Sequence, residues 1–515
     1  MAESPPRRAR EAPWGLTSFS EILERLPVTT TPTPETDVAE PRGRVDRFFE
    51  ITKRGSTPGA EVRGGLVTFV TMAYIVILNP IILSGSTDVA GDSLGFSQVA
   101  AVTALTAGVM TILFGLISRL PFAFAAGLGI NSFLAVSVVG ELTWPEAMGL
   151  VVINGLIIVL LAATGLRRLI FNAVPVALKT AITVGIGLFI AFIGFVDAGF
   201  VTATGVASPP VGLGINGSIA TVPTLLFVVT LLLCAVLMAL RVRAALLIGL
   251  VVGTVLAVIA EAIWHFGPAV GADGEVTVGG WGLSVPALPA NLVSLPDLSL
   301  VGQVDLFGAF ARIGAPAAIG LIFTLVFTNF FDAMGTMTGL SREAGLSDPK
   351  GDFPRLRSAL IVEGVGAVAG GFTSSSSNTV FIESASGIGE GARTGLANIV
   401  TGVLFLAAMF FTPLTTVVPS EVAAAALVIV GALMMSQIRH LDLSEFSVLV
   451  PVFLTVTVMP FTYSIANGIG AGFISWVVIR SITGKAKEIS PLLWIVAAGF
   501  VLYFARGPIS VAFGI

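Results

Sequence analysis

Three carboxylic acids lie inside long apolar stretches of this chain, where burial of a carboxylate costs free energy that some function must offset. Glu383 follows a glycine- and serine-rich run, Asp332 lies in the stretch NFFDAMG, and Glu363 lies in the stretch LIVEGVG. An ionised carboxylate at the centre of a bilayer costs about 2.5–3.5 kcal/mol even on insertion-based scales. A substrate or proton site would compensate for that cost, whereas a loop at the membrane surface would avoid it. Because apolar spans flank Glu383 closely on both sides, we favour the first interpretation.

The three acids suit different tasks. Glu383 would accept N–H bonds from a ligand, and each charge-assisted bond is about twice as strong as a neutral one. Desolvation of Asp332 favours its neutral form, which makes it a candidate proton carrier; the structural alternative is a helix cap or a pair with Ser or Thr. For Glu363 we favour a structural or relay role over ligand contact. Asp332, Glu383 and Glu363 are therefore the candidates for proton coupling.

The composition indicates the class of protein that holds these acids. Of the 515 residues, 55% are hydrophobic and 11% are charged, and apolar runs of about 20 residues recur, the length of a membrane-spanning helix. We predict an all-α polytopic membrane protein and exclude a water-soluble one. The net charge of −4 gives no reason to expect nucleic acid. No metal cluster, cofactor motif or nucleophile paired with a base is present in the sequence, so we expect no enzyme.

The chain divides into a tail, two apolar regions and a loop. Residues 1–45 are predicted to form a disordered cytoplasmic tail, and 45–54 a short amphipathic helix at the inner membrane surface. The remaining predicted divisions are a first repeat over 46–264, an extracellular loop over 265–312, a second repeat over 313–482 and a C-terminal apolar segment over 483–515.

Fourteen membrane spans are predicted within the two repeats. They are 65–84, 98–117, 124–139, 146–164, 175–195, 222–240, 244–263, 313–337, 356–371, 379–389, 395–412, 421–437, 445–463 and 466–482. A further apolar piece, 491–504, is either a fifteenth span or an interfacial helix. With a cytoplasmic N-terminus, Lys and Arg collect in the cytoplasmic loops, while the loop 265–306 has four acids and neither Lys nor Arg. We therefore expect a multi-pass plasma-membrane protein.

The third and tenth spans are interrupted in similar ways. The third opens with LPFAFAAGLG before the triplet 130–132, and the tenth opens with a Gly/Ser run before the triplet 382–384. Each pattern is typical of an extended stretch that leads into a half-helix, and matching breaks in two halves of a chain point to a transporter site. The two interrupted spans are seven spans apart. Because seven is odd, the second half would enter the membrane with the opposite orientation, and the halves would form a 7+7 inverted repeat. Tight helix packing by Gly and Pro is the alternative explanation.

Two half-helices whose N-termini meet near the midplane direct unpaired N–H groups into one cavity. With Glu383 one turn inside its half-helix and Asn131 at the matching position of the third span, the cavity offers donors beside an acceptor. A planar heterocycle fits this arrangement better than an anion, which Glu383 would repel. Phe330 and Phe331 either stack on such a ligand or face lipid or core. The candidate substrate-binding residues are Glu383, Asp332, Asn131, Ile382, Ile130, Phe331 and Ser384.

Five motifs in order along the chain resemble those of the purine permeases in the nucleobase–cation symporter family, AzgA-like branch. They are EVRGGLVTFVTMAYIVILNPIILS (61–84), PFAFAAGLGINSFLAVSVV (121–139), NFFDAMGTMTG (329–339), FIESASGIGEGARTGLANIVT (381–401) and MPFTYSIAN (459–467). The resemblance extends from Val45 to Phe504, which is nearly everything except the tail.

The resemblance implies a core of spans 1–4 and 8–11 that moves past a gate of spans 5–7 and 12–14 in a homodimer. It also implies proton-coupled import of adenine, guanine or hypoxanthine, with Glu383 as the base-binding acid, Asp332 as the eighth-span acid and Asn131 as the third-span polar residue. The chain departs from the wider family at Thr336, where uracil permeases have His, so coupling falls to Asp332 or Glu383. It departs from the branch at Phe381, commonly Tyr, which leaves the preferred base open.

Other functions of the same fold stay open at this point. A channel or small-anion exchanger would favour a basic or neutral pocket and would not need two lone acids, and a transporter of xanthine or uracil would need only a different pocket shape. Sodium is the alternative coupling ion, because hydroxyls and the carbonyl ends of half-helices also hold Na⁺.

Overall fold

The computed structural model describes residues 43–165, 174–206, 208–271, 275, 277–348 and 353–505. Most of the predicted tail (1–42) and the end of the predicted C-terminal segment (506–515) lie outside these ranges. The helices are α1 Arg44–Phe49, α2 Pro58–Met72, α3 Ile75–Ser84, α4 Phe96–Ile117, α5 Leu128–Phe133, α6 Trp144–Thr164, α7 Val176–Asp197, α8 Val222–Ala239, α9 Ala245–Trp264, α10 Gly308–Arg312, α11 Ala315–Glu343, α12 Leu356–Phe372, α13 Ser384–Gly389, α14 Gly395–Ala408, α15 Ser420–Met435, α16 Phe446–Phe461, α17 Ile465–Ile482 and α18 Pro491–Phe504. The strands are β1 Phe124–Ala126, β2 Val201–Ala203, β3 Val211–Leu213 and β4 Asn378–Val380.

Local capping chemistry explains where several of these helices begin. α2 starts after Thr57, whose hydroxyl accepts a hydrogen bond from the Ala60 N–H at 3.2 Å, with Pro58 in the first turn. α6 starts with a capping box, in which the Glu146 carboxylate accepts the Thr143 N–H at 2.8 Å. The unpaired N–H groups of the first turn are thereby satisfied by side chains that the sequence places at the required spacing.

Ten helical stretches in the described ranges are long and apolar enough to cross a bilayer. α2 and α3 together form one of them, Pro58–Ser84, and shorter apolar helices occupy Leu128–Val138, Phe446–Phe461 and Pro491–Phe504. Every predicted span overlaps a helix or, in the third and tenth spans, a strand followed by a helix. The structure is therefore a mostly helical polytopic membrane fold, while the total of fourteen spans stays a prediction.

The helices pack in two groups. The core group consists of α2 to α6, α11 to α14 and the strands β1 and β4, whose members contact each other extensively. The gate group consists of α7 to α9 and α15 to α17, and its largest contacts are also internal, between α7 and α15 and between α16 and α17. Contacts between the groups are sparse, for example between α3 and α15. The two groups therefore meet along an interface with few contacts.

Two faces of the bundle are distinguished by their connections. On the long-loop face, which carries the described residues of 265–307, the loop reaches the start of α4, where Gln98 Nε2 donates to Asp297 Oδ2 at 3.0 Å. It also reaches α15, where the Gly282 N–H donates to Glu421 Oε1 at 2.8 Å. On the opposite, short-loop face, Arg243 beside the gate forms an ion pair of 2.5 Å with Glu390 of the core. An ionic contact thus joins the two groups on this face.

Reciprocal glycine pairs bring core helices into backbone contact. In each pair, a Cβ on either glycine would fall 2.0–2.9 Å from the carbonyl oxygen of the other, so only glycine fits at both positions. Three such pairs join α4 to α14 and α6 to α12: Gly108 with Gly402, Gly115 with Gly395, and Gly155 with Gly364.

Candidate functional site

The two interrupted spans meet at the centre of the core group. β1 and β4 pair antiparallel, with Phe124 opposite Val380, Ala125 opposite Thr379 and Ala126 opposite Asn378. α5 follows β1, and α13 follows β4, so each extended stretch leads into a short helix, as predicted. β1 with α5 is the first crossing stretch, and β4 with α13 is the second. The pair is extended by backbone hydrogen bonds of 2.9 Å at both ends, from the Gly127 N–H to Ser377 O and from the Phe381 N–H to Ala123 O.

Glu383 lies where the second of these stretches becomes a helix. The prediction that it lies one turn inside the half-helix is wrong, because Glu383 immediately precedes the first residue of α13. Pairing of Val380 with Phe124 keeps the chain extended, so the helix begins later than the sequence suggested. The Tyr74 hydroxyl donates a hydrogen bond to Glu383 Oε1. No other described side chain bonds this half-buried carboxylate, so it can accept ligand N–H groups.

Asp332 and Glu363 lie near this acid. Asp332 is half-buried in the middle of α11 and within Coulombic range of both Glu383 and Glu363. Glu363, in α12, is 0% exposed, and neither of its oxygens has a regular hydrogen bond within the described structure, although the Thr379 hydroxyl lies beside it. The three acids do not converge into a metal-ligating group among the described residues. Their arrangement suits one ligand acceptor with further proton-accepting groups close by.

Asn131 occupies a different environment. Its Nδ2 donates to Asn79 Oδ1 at 2.5 Å, and Asn79 Nδ2 donates in turn to Thr103 Oγ1 at 2.8 Å and to the backbone oxygen of Ser375 at 3.0 Å. All of the side chains that form these bonds are fully buried. Asn131 Oδ1 has no hydrogen-bond partner in the described part of the chain. Asn131 therefore links the two crossing stretches through α3 and retains one free acceptor.

The predicted equivalence of Asn131 and Glu383 is wrong. The strand pairing relates Ala125 to Thr379, so counting onward from the strands sets Gly129 against Glu383 and Asn131 against Ala385. α5 begins two residues after β1, whereas α13 begins four residues after β4. The extra residues in the second stretch leave Glu383 outside the helix, while Asn131 lies within one.

The other predicted ligand residues differ in their surroundings. Ile130 is 3% exposed, whereas Ile382 is 50% exposed next to Glu383. Ser384 is fully buried, and its Oγ accepts the Ala123 N–H at 3.0 Å, which ties α13 to the start of β1. Phe330 is buried at 3% exposure, and the Phe331 side chain lies outside the described part of the structure.

Sequence reasoning missed Tyr74 and Asn79 as site residues. Tyr74 lies between α2 and α3, 309 residues before Glu383 along the chain. Tyrosine in membrane proteins is commonest at the two interfaces, so one of only three tyrosines placed in mid-span was an available signal. Asn79 precedes Pro80 inside an otherwise apolar run, and a lone amide there needs a partner in the same way.

Two cavities lie next to α5 at the interface between the groups. One, of about 490 Å³, is lined by residues that include Ser132 and Asp197, and the other, of about 380 Å³, by residues that include Phe133 and Ser137. Neither includes Glu383 or Asp332 in its lining. Both open beside the long-loop ends of the surrounding helices.

Comparison with solved structures defines the class of fold. The chain is similar to the transmembrane domain of the cyanobacterial bicarbonate transporter BicA, with a TM-score of 0.53 at 16% identity, over 82% of this chain and 96% of that one. It is similar to the murine anion transporter Slc26a9 in its inward-facing state, with a TM-score of 0.53 at 12% identity, over 93% of this chain and 77% of that one. At these identities the likeness shows the fold alone.

Sequence comparison then identifies the family. The family model Xan_ur_permease, described as a permease family, matches residues 59–471. The guanine/hypoxanthine permease PbuG of Bacillus subtilis is 39% identical over 89% of this chain and 98% of its own length. The adenine permease AdeP of Escherichia coli is 37% identical over 90% of this chain and 96% of its own length. The chain belongs to this family of nucleobase permeases, which are transporters and not enzymes, and the resemblance seen in its motifs is confirmed.

Proposed function

We propose that this protein imports purine nucleobases of the hypoxanthine, guanine or adenine type across the plasma membrane by proton symport. The observation that carries the proposal is the position of Glu383: a half-buried carboxylate at the start of α13, oriented by Tyr74 and beside the crossing of β1 and β4. In this position it accepts N–H groups from a flat base. The names of PbuG and AdeP, both purine permeases, support purines over other ligands.

The neighbouring acids support proton coupling. Asp332 lies within Coulombic range of Glu383, so loading a proton on one acid changes the cost of charge on the other. Glu363, fully buried, within Coulombic range of Asp332 and without a hydrogen-bond partner for either oxygen in the described structure, fits a relay role. The proton is taken up with the base and released on the other side. Sodium is the competing coupling ion, and coupling by sodium would make uptake depend on a sodium gradient.

The packing pattern supports a fourteen-span inverted repeat and movement of the core group past the gate group. The extensive contact between α6 and α12 has a counterpart between α14 and α4, and the contact of α8 with α15 has one between α16 and α7. Such paired contacts are expected when two halves of a chain are related by a two-fold axis. Because the contacts between the groups are sparse, the core group can slide past the gate group. A cytoplasmic N-terminus and a homodimer complete the proposal.

Small-anion transport is the second candidate, because the similar solved structures are anion transporters. The site argues against it. An anion would meet Glu383 and Asp332, and the repulsion between like charges in a partly desolvated site is large. Xanthine or uracil differs from the proposed substrates only in shape and hydrogen-bond pattern, so these bases belong in the test.

The test is a competition panel against uptake of labelled hypoxanthine in cells, at two pH values. We expect excess unlabelled hypoxanthine, guanine or adenine to compete more strongly than xanthine or uracil, and sulfate and bicarbonate to have no effect. The matched control is Asp297→Asn, which removes an acid from the exposed loop and leaves uptake unchanged. Saturable uptake of bicarbonate or sulfate that no purine inhibits would contradict the proposal.

A further inference from the structure

The cavity of about 490 Å³ at the long-loop face is separate from the acids around Glu383. It lies between the core group, which contributes Ile81, Ile82 and Ser132, and the gate group, which contributes Ile193 and Asp197. Its volume falls within the range of roughly 300–1,000 Å³ that is typical of small-molecule sites. It is therefore large enough for a flat heterocyclic ligand.

Two polar groups in this cavity have no hydrogen-bond partner among the described residues. Ser132 is 0% exposed, and its hydroxyl makes no hydrogen bond within the described structure. Asp197, at the end of α7, is exposed into the cavity and makes no hydrogen bond or ion pair with a described residue. Its carboxylate lies within Coulombic range of Glu421, which is itself bonded to the Gly282 N–H and to Ser420. A buried hydroxyl without a partner costs free energy unless a ligand or water satisfies it.

An aromatic ring completes the wall of the cavity. Tyr463 lies in the turn between α16 and α17. Its ring forms T-shaped contacts with Phe189 and Phe192, whose ring centroids are 5.5 and 5.8 Å away. Aromatic faces stack on the π-faces of bases. Among the described residues of the lining there is neither Lys nor Arg, so these residues offer no counter-charge for an anion.

We propose that this cavity is an entry subsite that holds the purine base before it reaches Glu383, with Asp197 accepting a ring N–H, Ser132 bonding a ring acceptor and Tyr463 stacking on the base. This inference rests on the proposed function, because it assigns a second position for the same ligand. Ser132 adjoins Asn131 in α5, so the subsite borders the crossing stretches. In this proposal the base leaves the cavity along α5 toward the central site.

The experiment measures protection of a cysteine in the cavity of purified protein carrying Glu383→Gln, which removes the charge of the central acceptor and so weakens binding there. The reporter is Ser86→Cys, at a position that lines the cavity, and the control is Ser137→Cys, in the neighbouring cavity. The only native cysteine, Cys234, is buried, so the Glu383→Gln protein itself gives the background labelling by a thiol reagent. Hypoxanthine is the probe.

We expect hypoxanthine to slow labelling of Ser86→Cys and to leave Ser137→Cys unaffected. Adding Asp197→Asn raises the concentration required for protection by about tenfold or more, the loss expected for a hydrogen bond to a charged group. Asp197→Glu, which keeps the carboxylate, restores protection, and each variant is checked for a monodisperse profile. Protection that is absent, or that is unaffected by Asp197→Asn, overturns the subsite. Failure of the wild-type protein to bind hypoxanthine at all refutes the proposed function instead.

Discussion

The two crossing stretches use the same backbone arrangement for different chemistry. In the first, β1 passes into α5 after a single residue, and its amide, Asn131, is bonded within the core to Asn79. In the second, β4 is followed by three residues before α13 begins, and the last of them, Glu383, is half-buried and bonded to Tyr74. The comparison teaches that the polar side chain of the first stretch is bonded within the core, whereas the carboxylate of the second is left accessible, as the proposed role of ligand acceptor requires.

The largest expected effect follows from neutralising the acid of the second stretch. Glu383→Gln replaces charge-assisted hydrogen bonds to the base with neutral ones and gives Tyr74 a weaker partner. We expect purine affinity to fall at least about 100-fold, with membrane insertion unchanged. Equilibrium binding of labelled hypoxanthine to purified protein measures the change. Wild-type affinity in this variant would remove the distinction between the two stretches.

Neutralising the neighbouring acid should separate binding from coupling. Asp332→Asn keeps the shape of the side chain but can no longer gain and lose a proton. Wild-type uptake is expected to rise with an inward proton gradient, and the variant is expected to lose this stimulation while still exchanging labelled for unlabelled base. Vesicles with and without a collapsed gradient provide the measurement. Equal wild-type uptake in both vesicle preparations would contradict proton coupling, and sodium gradients would then be tested.

Tyr74→Phe tests whether the orientation of Glu383 matters. The substitution removes one hydroxyl and its hydrogen bond to a carboxylate. A bond of this kind contributes about 1.5–3 kcal/mol to folding stability, and only part of that contribution is expected to act on ligand affinity. We expect purine affinity to fall about tenfold, less than in Glu383→Gln. In the double variant Tyr74→Phe with Glu383→Gln, the Tyr74 effect should shrink, because both changes act through the same bond. Fully additive losses would show that Tyr74 acts elsewhere.

A substitution in the first stretch is expected to affect stability more than affinity. Asn131→Leu removes the bond to Asn79 and leaves a fully buried amide oxygen without its donor. The expected cost is about 1–3 kcal/mol in the free energy of unfolding, measured as a lower thermal midpoint in detergent. A loss of affinity as large as that of Glu383→Gln, with no change in stability, would assign ligand binding to this stretch as well.

Two fully buried serines give the smallest and most closely matched test. Ser384 in the second stretch accepts the Ala123 N–H at 3.0 Å, whereas Ser132 in the first makes no hydrogen bond within the described structure. Ser384→Ala is expected to destabilise the protein by about 1–2 kcal/mol, because it leaves a buried N–H unpaired. Ser132→Ala is expected to leave the thermal midpoint unchanged. The reverse ranking would show that the bonding pattern of the two stretches is misassigned.

The sequence predicted the helices and the interrupted stretches well because their signals are local. Apolar runs set the helices, and the Gly/Ser run before Glu383 indicated the extended backbone that became β4. The relation between the stretches was beyond local signals. Whether Asn131 or Gly129 corresponds to Glu383 depends on the strand pairing, and that pairing joins segments about 250 residues apart in the chain.

Long-range partners of the site were missed for the same reason. The sequence made Glu383 and Asp332 candidates because an acid in an apolar run is costly wherever the fold places it. Tyr74 is compatible with lipid contact, packing or hydrogen bonding, and only the fold brings its hydroxyl to Glu383. Ser384, proposed from sequence as a ligand residue, lies next to the acid in the chain, but its hydroxyl bonds the backbone at Ala123.

The central claim is that Glu383 accepts an N–H of the base, and ligand and protein changes combined test it most directly. Binding of hypoxanthine is compared with that of analogues methylated in turn at each ring N–H, in the wild-type protein and in Glu383→Gln. The account predicts that one methylated analogue binds the wild-type protein much more weakly than hypoxanthine does, and that Glu383→Gln largely removes this difference. If the difference in affinity between hypoxanthine and every methylated analogue is as large in Glu383→Gln as in the wild-type protein, Glu383 is not the acceptor.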